Sequence, residues 1–152
     1  MFLTPLDKVI LFKLILAAFL GLLIGLERKL SHKTAGMRTF SLISLGSALF
    51  VILSNDFLSK SAGSFGFDPS RVLSQIVVGL GFLGAGLIIF QEKEKKVHGL
   101  TTAASIWVAA GIGSAVGLGA YSIAVMTTFF TLFILFILWQ IEKIFGLTED
   151  DK

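Results

Sequence analysis

The sequence predicts an all-α, polytopic membrane protein, a bundle of about five transmembrane helices. Three observations predict it. Hydrophobic residues make up 55% of the chain and charged residues only 15%, with a mean hydropathy of +0.88, a balance typical of membrane-embedded chains. The charges are gathered into short clusters that separate long apolar runs. Each run approaches the roughly 20 residues a helix needs to cross the hydrocarbon layer. With 152 residues the chain reads as a single transmembrane domain, 1–152, with no room for a soluble domain of ordinary size.

The first span is predicted over 9–26, interrupted only by Lys13 near its start. A signal peptide would carry its positive charge before the apolar stretch; here the stronger basic cluster follows it, so the run is expected to be retained. The second span, 39–54, is somewhat short. The third, 72–90, is uncharged and follows Asp68-Pro69, an N-cap acceptor with proline at the first helical position. After Lys96 and His98, an uncharged stretch reaches Ile141, long enough for two spans. Gly117 and Gly119 mark the turn, giving helices over 100–116 and 121–139 with Trp139 at the interface.

Alternating sides through five spans separates the basic residues unequally. Arg28, Lys29, Lys33, Arg38, Lys93, Lys95, Lys96, Lys143 and Lys152 fall on one side; Lys8, Lys13, Lys60 and Arg71 fall on the other. Positive charge accumulates on the cytoplasmic side, which predicts the N-terminus outside and the C-terminus in the cytoplasm. The basic cluster at 28–33 reads as a topology determinant beside anionic lipid. Nucleic acid is not an expected partner, since no folded basic surface with interleaved aromatics accompanies these residues. Gln91 to Lys96 alternates in sign and reads as a solvated loop, with His98 interfacial beside it.

Small residues indicate how the spans pack. Helices in lipid are held by close backbone approach rather than by burial of apolar surface. Ala17, Gly21 and Gly25 recur every fourth residue on the first span, as do Ser105, Ala109, Gly113 and Gly117 on the fourth. The third carries Gly79, Gly81, Gly84, Ala85 and Gly86, so the third and fourth spans are expected to form the packed centre. The fifth, with Phe129, Phe130, Phe133 and Phe136, is expected to face lipid. Gly79-x-Gly81-x-x-Gly84 spells a dinucleotide fingerprint, but that motif needs a preceding strand and an accessible helix N-terminus; inside an apolar span it reads as helix packing, and no cofactor is expected.

Polar residues at or within the spans are the functional candidates. Arg71 and Gln75 share a face of the third span, and Gln75 suits an interhelical hydrogen bond or the wall of a permeation path. Glu27 and Arg38 flank one loop and could pair to close the first hairpin. A weak internal repeat is also present. Gly21 precedes Gly36 by the separation at which Gly84 precedes Gly99, and Gly36-Met37-Arg38-Thr39 aligns with Gly99-Leu100-Thr101-Thr102. Such a pattern fits a parallel repeat about an axis along the membrane normal.

Five strings occur in order: Gly25-Leu26-Glu27-Arg28; Ala35-Gly36-Met37-Arg38-Thr39; Asp68-Pro69-Ser70-Arg71 with Gln75; Gly81-Phe82-Leu83-Gly84-Ala85-Gly86; and Gly99-Leu100-Thr101-Thr102-Ala103-Ala104-Ser105-Ile106-Trp107. Together they resemble the membrane domain of the MgtC/SapB family, over nearly the whole chain. The resemblance implies a bacterial inner-membrane protein associated with magnesium transport or adaptation to low magnesium. Many MgtC proteins continue into a cytoplasmic ACT-like domain and carry an asparagine and a cysteine where Thr101 and Val108 stand here, so this sequence looks like a short, SapB-type member.

Magnesium takes oxygen ligands, usually carboxylates, and sheds water reluctantly. Glu27, Asp68 and Glu142 all lie near span ends, which disfavours a buried carboxylate site. A partly hydrated ion could still pass Gln75, Thr101, Thr102, Ser105 and backbone carbonyls, with Asp68 at the outer mouth and Glu27 at the inner. The competing expectation is a non-transporting regulatory subunit, binding another membrane complex or a second copy through small-residue faces. With no nucleophile–base pair in the sequence, an enzymatic role is not expected.

Overall fold

A computed structural model describes residues 4–60, 68–91 and 96–145. Lys93, Lys95 and Lys152, counted in the charge asymmetry, lie outside these. The described residues form five helices long and apolar enough to cross a membrane: α1 (Pro5–Leu30), α2 (Met37–Lys60), α3 (Pro69–Leu87), α4 (Leu100–Leu118) and α5 (Tyr121–Ile144). The protein is a multi-pass helical membrane protein.

Local chemistry sets the helix ends. Thr4 and Asp7 form a capping box at the start of α1, with Pro5 next to the cap, so the helix begins before the predicted span. It stops where His32 takes a left-handed φ of 56°. The Lys33 N–H then reaches the Arg28 carbonyl and the His32 N–H that of Lys29, satisfying carbonyls the helix end leaves free. Gly119, at φ 85°, ends α4 in the same way, its N–H on Val116 and that of Ala120 on Ala115. Gly117 is therefore the last full turn of α4 rather than part of the turn.

The third span also ends earlier than 90. Ile88 is extended, and Ile89–Gln91 (β1) pairs antiparallel with Lys96–His98 (β2), Phe90 opposite Val97. The segment expected as a solvated loop thus begins and ends in a short ribbon, with 92–95 outside the described residues. Gly99, at φ 88°, turns the chain from this ribbon into α4; a side chain there would strike the Leu87 carbonyl.

Packing centres on α2 and α4, not on α3 and α4 as the glycine count predicted. A methyl built on Gly21 would lie 2.5 Å from the Phe40 carbonyl oxygen, one on Gly25 2.6 Å from Met37 Cα, and one on Gly117 2.8 Å from the Ala48 oxygen; at Gly113 it would overlap the Ser44 carbonyl. The stripes of α1 and α4 both close on α2, whose Phe40, Ser44 and Ala48 are completely buried. Because these positions are glycine, the helix backbones approach closely enough to make the dispersion contacts that hold helices in lipid.

On α3 the outcome is the reverse. Gly79, Gly81 and Gly86 have open space where a side chain would project, and Gly84 merely touches the Ala103 methyl at 3.8 Å. Only 6% of this span is buried, against 50% for α4. Open apolar grooves of about 400 Å³ lie beside it, one against α4 and α5, the other against α2 and α4. The internal repeat has a structural counterpart: Gly84 meets Ala103 at the sequence separation at which Gly21 meets Phe40. The second hairpin repeats the contact of the first but closes less tightly.

The fifth helix runs past the predicted end at 139 to Ile144 and carries an exposed aromatic face. Phe129, Phe130, Phe133 and Phe136 are all more than half exposed, with Ala124, Thr128 and Leu135 turned inward. Trp139 carries the Lys143 ammonium 5.3 Å above its ring, a favourable arrangement for an interfacial pair.

Candidate functional site

The polar candidates separate into three places. The first is the end of the bundle that carries the α1–α2 turn. Arg28 continues the Ala17–Gly21–Gly25 stripe and is 4% exposed, so unlike the exposed Lys29 beside it, its side chain is turned into the protein. Its guanidinium grips the neighbouring Glu27 through Nε and Nη2, the latter at 2.7 Å, and Ser31 Oγ donates to the same carboxylate at 2.8 Å. Both carboxylate oxygens are occupied, a bidentate arrangement that suits arginine. The anticipated Glu27–Arg38 pair does not form, because Arg38 is exposed at the start of α2 while Arg28 already lies against the carboxylate.

The second place is the interior. Thr102 and Ser105 are buried on the face of α4 that continues through Ala109 to Gly113. Ser105 Oγ donates to the carbonyl of Thr101 at 2.7 Å, while the Thr101 side chain is exposed. Three further buried hydroxyls, Ser44, Ser47 and Ser54, lie on α2. These residues contribute small volume at the helix crossings, and among the described residues Ser44 Oγ and Ser54 Oγ have no hydrogen-bond partner.

The third place is α3. Asp68 caps the helix, accepting from the Ser70 N–H at 2.9 Å. The hydrogen bonds from Ser70 hold its carboxyl below the usual aspartate range, with the Arg71 charge adding to the effect. Arg71 and Gln75 are exposed on the same helix face, directed away from Thr102 and Ser105. Gln75, Thr101, Thr102 and Ser105 therefore do not share one surface.

The depressed Asp68 pKa gives a pH dependence of definite sign. The charged cap is at full strength above the unfolded aspartate value, about 3.9, and is lost as pH falls through the lower folded value. The protection of amides 70–72 against hydrogen exchange, taken relative to the intrinsic rate at each pH, should fall across that window. Asp68→Asn, which still caps, should abolish the pH dependence; an unchanged profile would assign the effect to another group.

Sequence reasoning passed over Lys13 as an interruption in the first span. Its ammonium donates to the Gly117 carbonyl at 2.8 Å, satisfying a carbonyl at the end of α4 and placing positive charge at the negative end of that helix. The only signal was a lysine inside an otherwise apolar run.

Among the described residues no group of three or more His, Cys, Asp or Glu side chains could hold a metal ion. The arrangement offers a tightly packed three-helix core, a closed ion pair at one end, and a polar patch on the outward face of α3.

Comparison with known proteins places this architecture. The MgtC family profile matches residues 14–144. A protein of Escherichia coli K12 named "Putative magnesium transporter YhiD" is 44% identical over 133 residues, covering 85% of this chain and 60% of that protein. Protein SapB of Bacillus subtilis is 38% identical over 91% of this chain and 60% of its own length. Protein MgtC of Brucella abortus is 46% identical over 75% of this chain and 44% of its own. The chain thus spans 44% to 60% of the length of these relatives. No solved structure matches. The profile match across most of the chain shows that it belongs to the MgtC family.

Proposed function

We propose that this chain is a magnesium-associated component of the bacterial inner membrane that acts by contact through the outward face of α3, without conducting the ion through its own bundle. The proposed role is non-enzymatic. The proposed orientation, N-terminus outside and C-terminus cytoplasmic, follows the charge asymmetry. The association with magnesium follows the name of the Escherichia coli relative.

The observation that carries the reading is the division of the polar groups. Glu27 is already held by Arg28 and Ser31, and Thr102 and Ser105 lie within close helix crossings. Asp68, Arg71 and Gln75 are presented together on a helix that is nearly uncovered. A hydrated magnesium ion keeps several waters, and the α1–α2–α4 crossings leave no room for them.

Reconstitution into liposomes holding a magnesium-sensitive dye tests this. Flux should be no faster than in empty liposomes, and low-magnesium growth of cells depending on this protein should weaken with Gly79→Leu. Magnesium flux that Gln75→Leu or Asp68→Ala abolishes would overturn the proposal and favour a path along α3.

A further inference from the structure

We propose that the outward face of α3 binds a second copy of this chain, α3 against α3, about a two-fold axis along the membrane normal. The inference rests on the reading that α3 works by contact, and it names the occupant.

The helix period places Gln75, Gly79, Phe82 and Gly86 on one face, opposite the Leu80 and Gly84 side that meets α4. Phe82 is 82% exposed, more than any other large apolar side chain described. On either side of it, one turn away, Gly79 and Gly86 leave space with nothing within 4 Å. A projecting ring flanked by gaps at the same spacing is complementary to its own copy. In a parallel pair each Phe82 fills the space beside the other copy's glycines. The two-fold requires such self-complementarity, since both copies present one patch.

The polar groups select protein over lipid as the occupant, and a second copy over an unrelated helix. Gln75 lies on the second turn of a membrane span, exposed. Its carboxamide needs both an acceptor and a donor, and acyl chains supply neither. Two such groups facing across a two-fold satisfy each other. Asp68 and Arg71 carry opposite charges one turn apart at the same end. Pairing of two copies brings Asp68 of each beside Arg71 of the other, whereas a face of single sign would repel its own copy. The exposed aromatic face of α5, with Phe129, Phe133 and Phe136, carries its glutamine, Gln140, only near the helix end beside Trp139, where water can reach it, and suits lipid.

The chain has no cysteine, so single-cysteine variants report without background. In oxidised native membranes Gln75→Cys, Gly79→Cys and Phe82→Cys should form disulfide-linked dimers, and Phe133→Cys on α5 should not. In lipid dilution followed by energy transfer between labelled copies, Gln75→Leu should weaken association about 3- to 20-fold, the range for interhelical polar contacts. Gly79→Leu should weaken it further while leaving the monomer fold intact, because among the described residues nothing occupies that space. Crosslinking at the α3 positions no greater than at Phe133→Cys would overturn the proposal. So would crosslinks from α3 to a different protein alone, though these would leave the contact reading standing. If Gly79→Leu also leaves low-magnesium growth unchanged, the contact reading falls as well.

Discussion

Gly113→Ala should lower the unfolding free energy of the bundle by about 3 kcal/mol or more, at the upper end of overpacking costs. The same substitution at Gly111, next but one on the same helix, should be neutral or stabilising by up to about 1 kcal/mol through helix propensity. The difference lies in what the new methyl meets. At Gly113 it overlaps the Ser44 carbonyl, whereas at Gly111 it meets nothing within 4 Å. A flexible side chain could rotate away, but Ser44 contributes backbone from the middle of α2, so the two helices must separate. That separation would also loosen Gly117 from Ala48 and Val51. Reversible unfolding in mixed micelles, followed by the fluorescence of Trp107 and Trp139, measures both variants. Equal stability of the two would mean that α2 and α4 do not cross at Ser44.

The second large effect is expected at Glu27. Removing its carboxylate by Glu27→Ala leaves the Arg28 guanidinium, 4% exposed, without its bidentate partner. Breaking a buried pair from one side costs about 3–5 kcal/mol, because a charge is left unpaired rather than because the pair itself is strong. The double variant Glu27→Ala/Arg28→Met should therefore recover most of the loss. If the double variant is as unstable as the single, the cost resides in packing or in the Ser31 hydrogen bond, and the charge argument is wrong. The Glu27→Ala variant should also lose the anchoring of Ser31, which closes α1 at its basic end.

Much of this architecture could be read from residues in order. Five spans followed from the apolar runs, and the spacing-four stripes on α1 and α4 identified the faces that make the close contacts. The central place of α2 could not be read, for a definite reason. Its contribution to the crossings is mainly backbone, the carbonyls of Phe40, Ser44 and Ala48, and carbonyls leave no pattern in a sequence. Its small positions are serines, Ser44, Ser47 and Ser54, rather than the glycines that marked the stripes on α1 and α4, and at 39–54 the span read as somewhat short. On α3 the glycines were counted but not assigned to a side, and density alone does not say whether a neighbour is present. The Glu27–Arg28 pair was missed because adjacent helical residues do not normally face one another. Here the Arg28 guanidinium nonetheless reaches the carboxylate of its neighbour. The functional candidates were legible as residue types, but their separation into three places depends on helix rotation, which periodicity constrains only within each helix.

The closure of α2 by two helices has a consequence for how the protein is made. Gly21 and Gly25 emerge from the ribosome before α2, so the first crossing can form as soon as the hairpin enters the membrane. Gly113 and Gly117 emerge only after α3 and the ribbon, on the order of several seconds later at ordinary synthesis rates. During that interval the backbone of α2 near Ser44 and Ala48 has one flank uncovered. A nascent α3 that settled there would block the slot α4 must enter. The peripheral seat of α3, in contact with the core through Leu80 and Gly84, keeps that slot open, and the fold can then be completed by insertion of the next helix without displacing the previous one.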